Sequence, residues 1–255
     1  MWGGWDKMEE NIKKITNWIK EKVKEANAKG VIIGLSGGID SSCVAALCKK
    51  AFPDNTLGII MPCMSNPTDM EHAKLIAEKF DIPCKIIDLE DNFKSLFKSI
   101  NNEEYKKENH NYLAASNIKP RLRMIILYYF ANKLNYLVAG TDNKTEEMLG
   151  YFTKYGDGGV DILPIVNLYK KDVRELAEYL DIPKEIITKK PSAGLWDGQT
   201  DEDEIGISYE EMDEILERME KNEDLSNING EKVKKIKEMM KISEHKRNMP
   251  PGCEI

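Results

Sequence analysis

The sequence predicts an α/β protein: a doubly wound, mostly parallel sheet flanked by helices, with further helices at its C-terminal end. Three observations predict it. Short continuous runs rich in β-branched residues recur along the first 140 positions, as strands buried on both faces of a parallel sheet require. Segments of helical period separate them, which gives strand–helix–strand units with right-handed crossovers. A glycine pair follows the first run at once, where a strand hands over to a helix.

Taken in order, Ile12, Ile15, Ile19 and Val23 stand at helical spacing, so an amphipathic helix within residues 1–27 covers the sheet. Val31 to Leu35 is the first strand. Leu57 to Met61 is the second, Asp69 to Phe80 a helix, and Cys84 to Asp88 the third strand. Asp91 to Ser116 is polar and reads as short helices. Arg121 to Leu134 has a strong helical pattern and leads into the strand Tyr136 to Gly140. Gly150 to Asp161 is glycine-rich, and Lys189 to Gly206 is acidic and turn-rich. Both are expected to be mobile loops, with 190–207 placed to act as a lid. Two terminal helices follow, Tyr209 to Lys221 and Glu231 to Ile242. With no repeat, low-complexity tract or linker, residues 1–255 read as a single domain.

A net charge of −7 argues against broad affinity for nucleic acid, which depends on cationic contacts to phosphate. No apolar run approaches the roughly 20 residues of a membrane span, and the N-terminus lacks the apolar core of a signal peptide. A cytoplasmic protein is expected. The five cysteines, Cys43, Cys48, Cys63, Cys84 and Cys253, contain no C-x-x-C pair, so they are read as buried thiols or spectators.

Ser36-Gly37-Gly38-Ile39-Asp40-Ser41-Ser42 lies at the first strand–helix turn. Backbone N–H groups and the positive end of a helix dipole make an anion site there, and glycine lets the backbone approach phosphate closely. The loop lacks the lysine of the Walker A pattern. It carries an acid instead, and Asp40 in a phosphate cradle would repel its ligand without an intervening cation. Mg²⁺ is typically held by one or two carboxylates plus phosphate oxygens, so Asp40 is assigned to metal.

This loop resembles the S-G-G-x-D-S pyrophosphate loop of the ATP pyrophosphatase superfamily, whose members adenylate an oxygen and then let a nitrogen or sulfur nucleophile displace AMP. The resemblance implies ATP contacts at Ser36, Gly37, Gly38, Asp40, Ser41 and Ser42. Gly140-Thr141-Asp142-Asn143-Lys144-Thr145-Glu146 is similar to the G-T-x-N-x-x-E motif of NAD synthetases. On spacing alone, Thr141 and Asp142 serve as helix caps as readily as ligands. The resemblance implies that Thr141 contacts ATP and that Glu146 is the second metal carboxylate. Gly150 to Asp161 contains T-K-Y-G-D-G-x-x-D, from which Lys154 and Asp161 carry over as deamido-NAD contacts. Pro164 to Lys170 resembles P-I-x-x-L-x-K, which puts Lys170 on ATP phosphates, and Pro191-Ser192-Ala193 resembles a loop in which Ser192 touches ATP. Arg121 in Arg121-Leu122-Arg123-Met124, and the terminal pair His245-Lys246, are implied as further deamido-NAD contacts.

Taken together, the resemblance from about Ile33 to Lys246 implies an ammonia-dependent NAD⁺ synthetase fold and reaction. That means a C–N ligase using ATP and Mg²⁺ to amidate deamido-NAD, in the final step of NAD biosynthesis, with a homodimer expected. A glutamine-dependent version needs a fused amidase domain, and these residues are already spent on one synthetase domain, so free ammonia or a separate glutaminase partner is expected to supply the nitrogen. The alternative is a tRNA-modifying adenylating ligase of the same superfamily, which would carry paired cysteines and a basic face.

Overall fold

The computed structural model describes residues 3–106, 113–196 and 198–253. Residues 1, 2, 107–112, 197, 254 and 255 lie outside it, and with them part of the expected 91–116 helices and one position of the 190–207 loop. Elements run in the order α1 (Gly3–Glu25), β1 (Gly30–Gly34), α2 (Ile39–Ala51), β2 (Thr56–Ile60), α3 (Pro67–Lys79), β3 (Cys84–Ile86), α4 (Glu90–Asn101), α5 (Leu113–Ser116), α6 (Ile118–Leu134) and β4 (Tyr136–Ala139). Then come α7 (Lys144–Leu149), α8 (Lys170–Tyr179), α9 (Lys184–Ile187), α10 (Asp201–Ile205), α11 (Tyr209–Glu220), α12 (Gly230–Ile242) and α13 (Glu244–Arg247).

The four strands pair in the order β3-β2-β1-β4, all parallel. The period-two alternation of β1 sorts its side chains into two layers. Val31 and Ile33 pack with Ile12, Ile19 and Val23 of α1, with α2, and with Val173 and Leu176 of α8. Ile32 faces the other way, with Ile59, Val138, Phe93 of α4 and Ala131 of α6. A third cluster joins α11 and α12 to Leu149 and Tyr169 through Met212, Ile215, Leu216 and Ile236. Because β2 lies on one side of β1 and β4 on the other, the connections diverge after β1 and leave a crevice at the carboxyl ends of these strands.

Four strands and five long helices fall where the periodicity puts them, within a few residues. Three differences have physical causes. The third strand is shorter than expected, because β3 is an edge strand with all three residues exposed and only β2 to pair with. Within 91–116, α4 is a full twelve-residue helix rather than a short one: Phe93 and Phe97 recur four apart and are buried beneath a polar surface. The segment after Lys189 is tied down by hydrogen bonds and contains α10. Among the described residues no helix is long and apolar enough to cross a membrane.

Candidate active site

The glycine turn caps α2 at the crevice. Gly38 is the N-cap residue and no side chain closes the cap, so the first turn of α2 presents amide N–H groups to a ligand. Gly37 has φ of +75°, and a β-carbon there would lie 2.2 Å from the Asp69 carbonyl oxygen. Only glycine suits this position. Hydroxyls brace the turn: Gly38 N donates to Ser36 Oγ at 3.2 Å, and Ser41 and Ser42 donate to Gly38 O at 3.0 and 2.7 Å.

Asp40, in the first turn of α2, faces a second acid from β4's far end. Asn143 caps α7 in a capping box, with Glu146 N donating to Asn143 Oδ1 at 3.0 Å and Asn143 N to Glu146 Oε2 at 3.3 Å. That box fixes Glu146, whose other oxygen points inward. Lys170, at the start of α8 and 2% exposed, places Nζ 2.7 Å from Asp40 Oδ2 and 3.1 Å from Glu146 Oε1. Asn143 Nδ2 completes the set by donating to Asp40 Oδ1 at 2.9 Å. Tyr209 OH lies 3.1 Å from Glu146 Oε1.

Burial pushes the Glu146 carboxyl up to about 7; Lys170 opposes that rise and the negative charge of Asp40 adds to it. For Lys170, burial pulls down, but Asp40 and Glu146 together outweigh it, so the ammonium holds its proton more firmly than usual. Glu146 is thus the carboxyl of this trio that burial carries toward neutrality.

The donor set fits Mg²⁺. Two carboxylates already converge on one cationic atom at the wall of the cavity described below, and the oxygens that meet there are hard donors. Mg²⁺ prefers such an open site, completed by phosphate oxygens and water.

From the glycine turn a cavity of about 600 Å³ extends to the loop after α7 and to α13. Ser36, Gly38, Asp40, Ser41, Thr141, Glu146, Lys170 and Ser192 line it, as do Arg121, Lys154, His245 and Lys246. Lys154 Nζ donates to His245 O, and Lys246 Nζ donates to the carbonyls of Gly150 and Phe152, both at 2.7 Å. Burial lowers the Lys246 pKa. Asp142 and Asp157 also face the cavity. Burial raises both carboxyls, Asp142 strongly, and Asp142 Oδ2 has no hydrogen-bond partner.

Three expected contacts are not on the cavity wall. Gly37 shapes the turn from behind, and Ser42 spends its hydroxyl on Gly38 O. Asp161 is held away: Val138 N donates to its Oδ2 at 2.8 Å and Tyr128 OH to its Oδ1 at 3.0 Å. Past β4 the sheet continues only as a single bridge between Ala139 and Ile162, so Asp161 supplies the acceptor that Val138 would otherwise lack. Reading motifs alone passed over Asn143, Tyr209 and Asp201. The N of the resembled G-T-x-N-x-x-E motif is the signal for Asn143; Tyr209 and Asp201 look like an ordinary helix start and an acidic surface run.

Fold and site together define a nucleotide-binding α/β protein of the ATP pyrophosphatase class, with an anion-seating turn and a paired-carboxylate cation seat in one crevice. The family model described as NAD synthase matches residues 11–250. The NH₃-dependent NAD⁺ synthetase of Carboxydothermus hydrogenoformans is 51% identical over 242 residues, which span 95% of this chain and 96% of that one. Among solved structures, an NMN synthetase from Francisella tularensis superposes with a TM-score of 0.88 at 37% identity, covering 97% of this chain and 99% of its own. The NH₃-dependent NAD synthetase of Campylobacter jejuni, in complex with nitrate, gives 0.82 at 32% identity with the same coverage. The chain belongs to the NAD synthase family.

Proposed function

We propose that this protein is an ammonia-dependent ligase that amidates deamido-NAD to NAD at the expense of ATP. The observation that carries the reading is Lys170 clasped between Asp40 and Glu146, directly beside the glycine turn. Family membership favours amide formation over the tRNA-modifying alternative.

A carboxylate is a poor electrophile, so an oxygen of the nicotinate carboxylate attacks the α-phosphorus of ATP, and the bond to the β-phosphate oxygen breaks with its electron pair. This yields an acyl-adenylate and pyrophosphate. The nitrogen lone pair of ammonia then forms the C–N bond, AMP leaves with the acyl oxygen, and one proton is released. The turn amides and the α2 N-terminus hold phosphate oxygens where charge develops. Lys170 keeps the two acids from repelling the polyphosphate. Asp40 and Glu146 would hold Mg²⁺, which supplies charge neutralisation to the departing pyrophosphate. Arg121, Lys154, His245 and Lys246 position the dinucleotide, Thr141 and Ser192 orient ATP, and orientation alone contributes several kcal/mol of barrier lowering.

Cytoplasmic residence accords with the free thiols of Cys43, Cys48, Cys63 and Cys84. A homodimer accords with Ile125 and Tyr129, which stand more than half exposed on α6.

The test is to incubate the protein with ATP, Mg²⁺ and an ammonium salt plus either deamido-NAD or nicotinic acid mononucleotide, with Asp40→Ala as control. NAD and AMP in equal amounts from the dinucleotide, absent in the control, is the expected result. Turnover of the mononucleotide alone would reassign the substrate, and intact ATP in both arms would overturn the reading.

A further inference from the structure

The α8 helix begins on a residue that does not cap it. Tyr169 is its N-cap and makes no side-chain cap hydrogen bond. Its ring shares a core cluster with Leu149 and Met212, and its hydroxyl donates to Glu220 Oε2 at 2.6 Å. The first amide N–H groups of any helix lack intrahelical acceptors, and leaving them buried and unpaired is costly.

Two other helices supply the acceptors. Lys170 N donates to Thr145 Oγ1 at 3.2 Å, Thr145 Oγ1 donates to Asp213 Oδ1, and Lys171 N donates to Asp213 Oδ2 at 2.9 Å. Thr145, on α7, is fully buried, and Asp213, on α11, is 1% exposed. A hydroxyl has one proton to give and an ionised carboxylate only accepts, so the relay runs one way, from amide to hydroxyl to carboxylate. The negative charge of Asp213 also suits the positive end of α8.

The relay joins two groups of the site that come from different helices. Thr145 immediately precedes Glu146, and Lys170 is the residue whose Nζ reaches Asp40 Oδ2 and Glu146 Oε1. One hydroxyl thus holds the chain beside Glu146 against the backbone of Lys170, and α11 anchors both through Asp213. We infer that Asp213, acting through Thr145, is a positioning residue: it sets where α8 delivers the Lys170 ammonium between the two carboxylates, and hence how the site receives the phosphates of ATP. The inference rests on the synthetase reading of the cavity, in which Lys170 faces the polyphosphate. A displaced ammonium leaves carboxylate charge uncompensated toward the incoming phosphates, and a misplacement of about 1 Å costs on the order of a hundredfold in rate.

Calorimetric affinity for ATP with Mg²⁺ present, steady-state kinetics and thermal unfolding test this on four variants. Thr145→Val keeps the shape and removes the hydroxyl, while Thr145→Ser keeps the hydroxyl. Asp213→Asn sets an amide where the carboxylate stood, and it carries the test if Thr145→Val fails to fold. Asn229→Ala, which takes the side-chain cap from α12, shows what lost stability does by itself. Thr145→Val and Asp213→Asn are expected to weaken ATP binding about tenfold, the worth of one hydrogen bond to a charged group, and to lower kcat with KM for deamido-NAD unchanged. Thr145→Ser is expected to stay near wild type, and the double variant to lose no more than the worse single one, because both break one relay. Variants that only unfold earlier, with wild-type ATP affinity and kcat, reduce the relay to a helix cap and overturn the inference alone. Additive losses, or a Thr145→Ser as impaired as Thr145→Val, overturn it too. A wild-type protein that neither binds ATP nor forms NAD overturns the synthetase reading and the inference together.

Discussion

Asn143 Nδ2 donates to Asp40 Oδ1 at 2.9 Å, while the same side chain's oxygen accepts from Glu146 N at 3.0 Å. One amide thus fixes both acids of the cation seat and caps α7. An aspartate could still cap the helix but would offer Asp40 no donor.

Asn143→Ala is therefore expected to cost about 1 kcal/mol of stability through the lost cap and to lower kcat by roughly ten- to a hundredfold through a displaced Asp40. Asn143→Asp separates the two effects. Thermal unfolding should recover much of the cap while activity stays low, and restored activity in that variant would refute the role given to the amide.

Glu146 gives the metal-free protein a pH signature. Its folded pKa, about 7, stands above its usual 4.5 because burial disfavours the charge. The folded state thus binds the proton more tightly than the unfolded chain. The stability this contributes is complete below about 4.5 and is lost as pH rises through about 7. Urea unfolding without Mg²⁺ should show this decline between pH 5 and 8, and Glu146→Gln should remove that component. Added Mg²⁺ should stabilise more at pH 8 than at pH 5, because the seat needs the ionised carboxylate.

The thiols should divide cleanly. Cys43, Cys48 and Cys63 are buried, and burial pushes Cys48 up to about 12 and raises the other two. Reactivity follows the thiolate, so a thiol reagent at pH 8 should label Cys84 and Cys253, which are exposed, and reach the other three only on unfolding. Five labels in the native state would contradict the packing of α2 against the sheet.

Much of this was legible in the sequence because it is local. β1 announces itself in Val31-Ile32-Ile33, and Asp40 and Glu146 follow from the chemistry of a phosphate turn and a motif resemblance. What stayed hidden depends on distant partners. Asp201 reads as one acid in a solvated run until α11 brings Tyr209 to it, and nothing local tells that Asp161 turns its carboxylate to Val138 N instead of the cavity. The α8 helix was passed over because its apolar residues, Val173, Leu176 and Ala177, are few among charges; its place against α2 makes them core.

The proposed reaction turns on attack of the substrate carboxylate at the α-phosphorus of ATP. Deamido-NAD labelled with ¹⁸O in its nicotinate carboxylate, turned over with ammonium, ATP and Mg²⁺, tests it most directly by mass spectrometry of the products. Attack at the α-phosphorus leaves one ¹⁸O in each AMP formed and none in pyrophosphate. Label in inorganic phosphate alongside ADP, or no transfer of label at all, would contradict it.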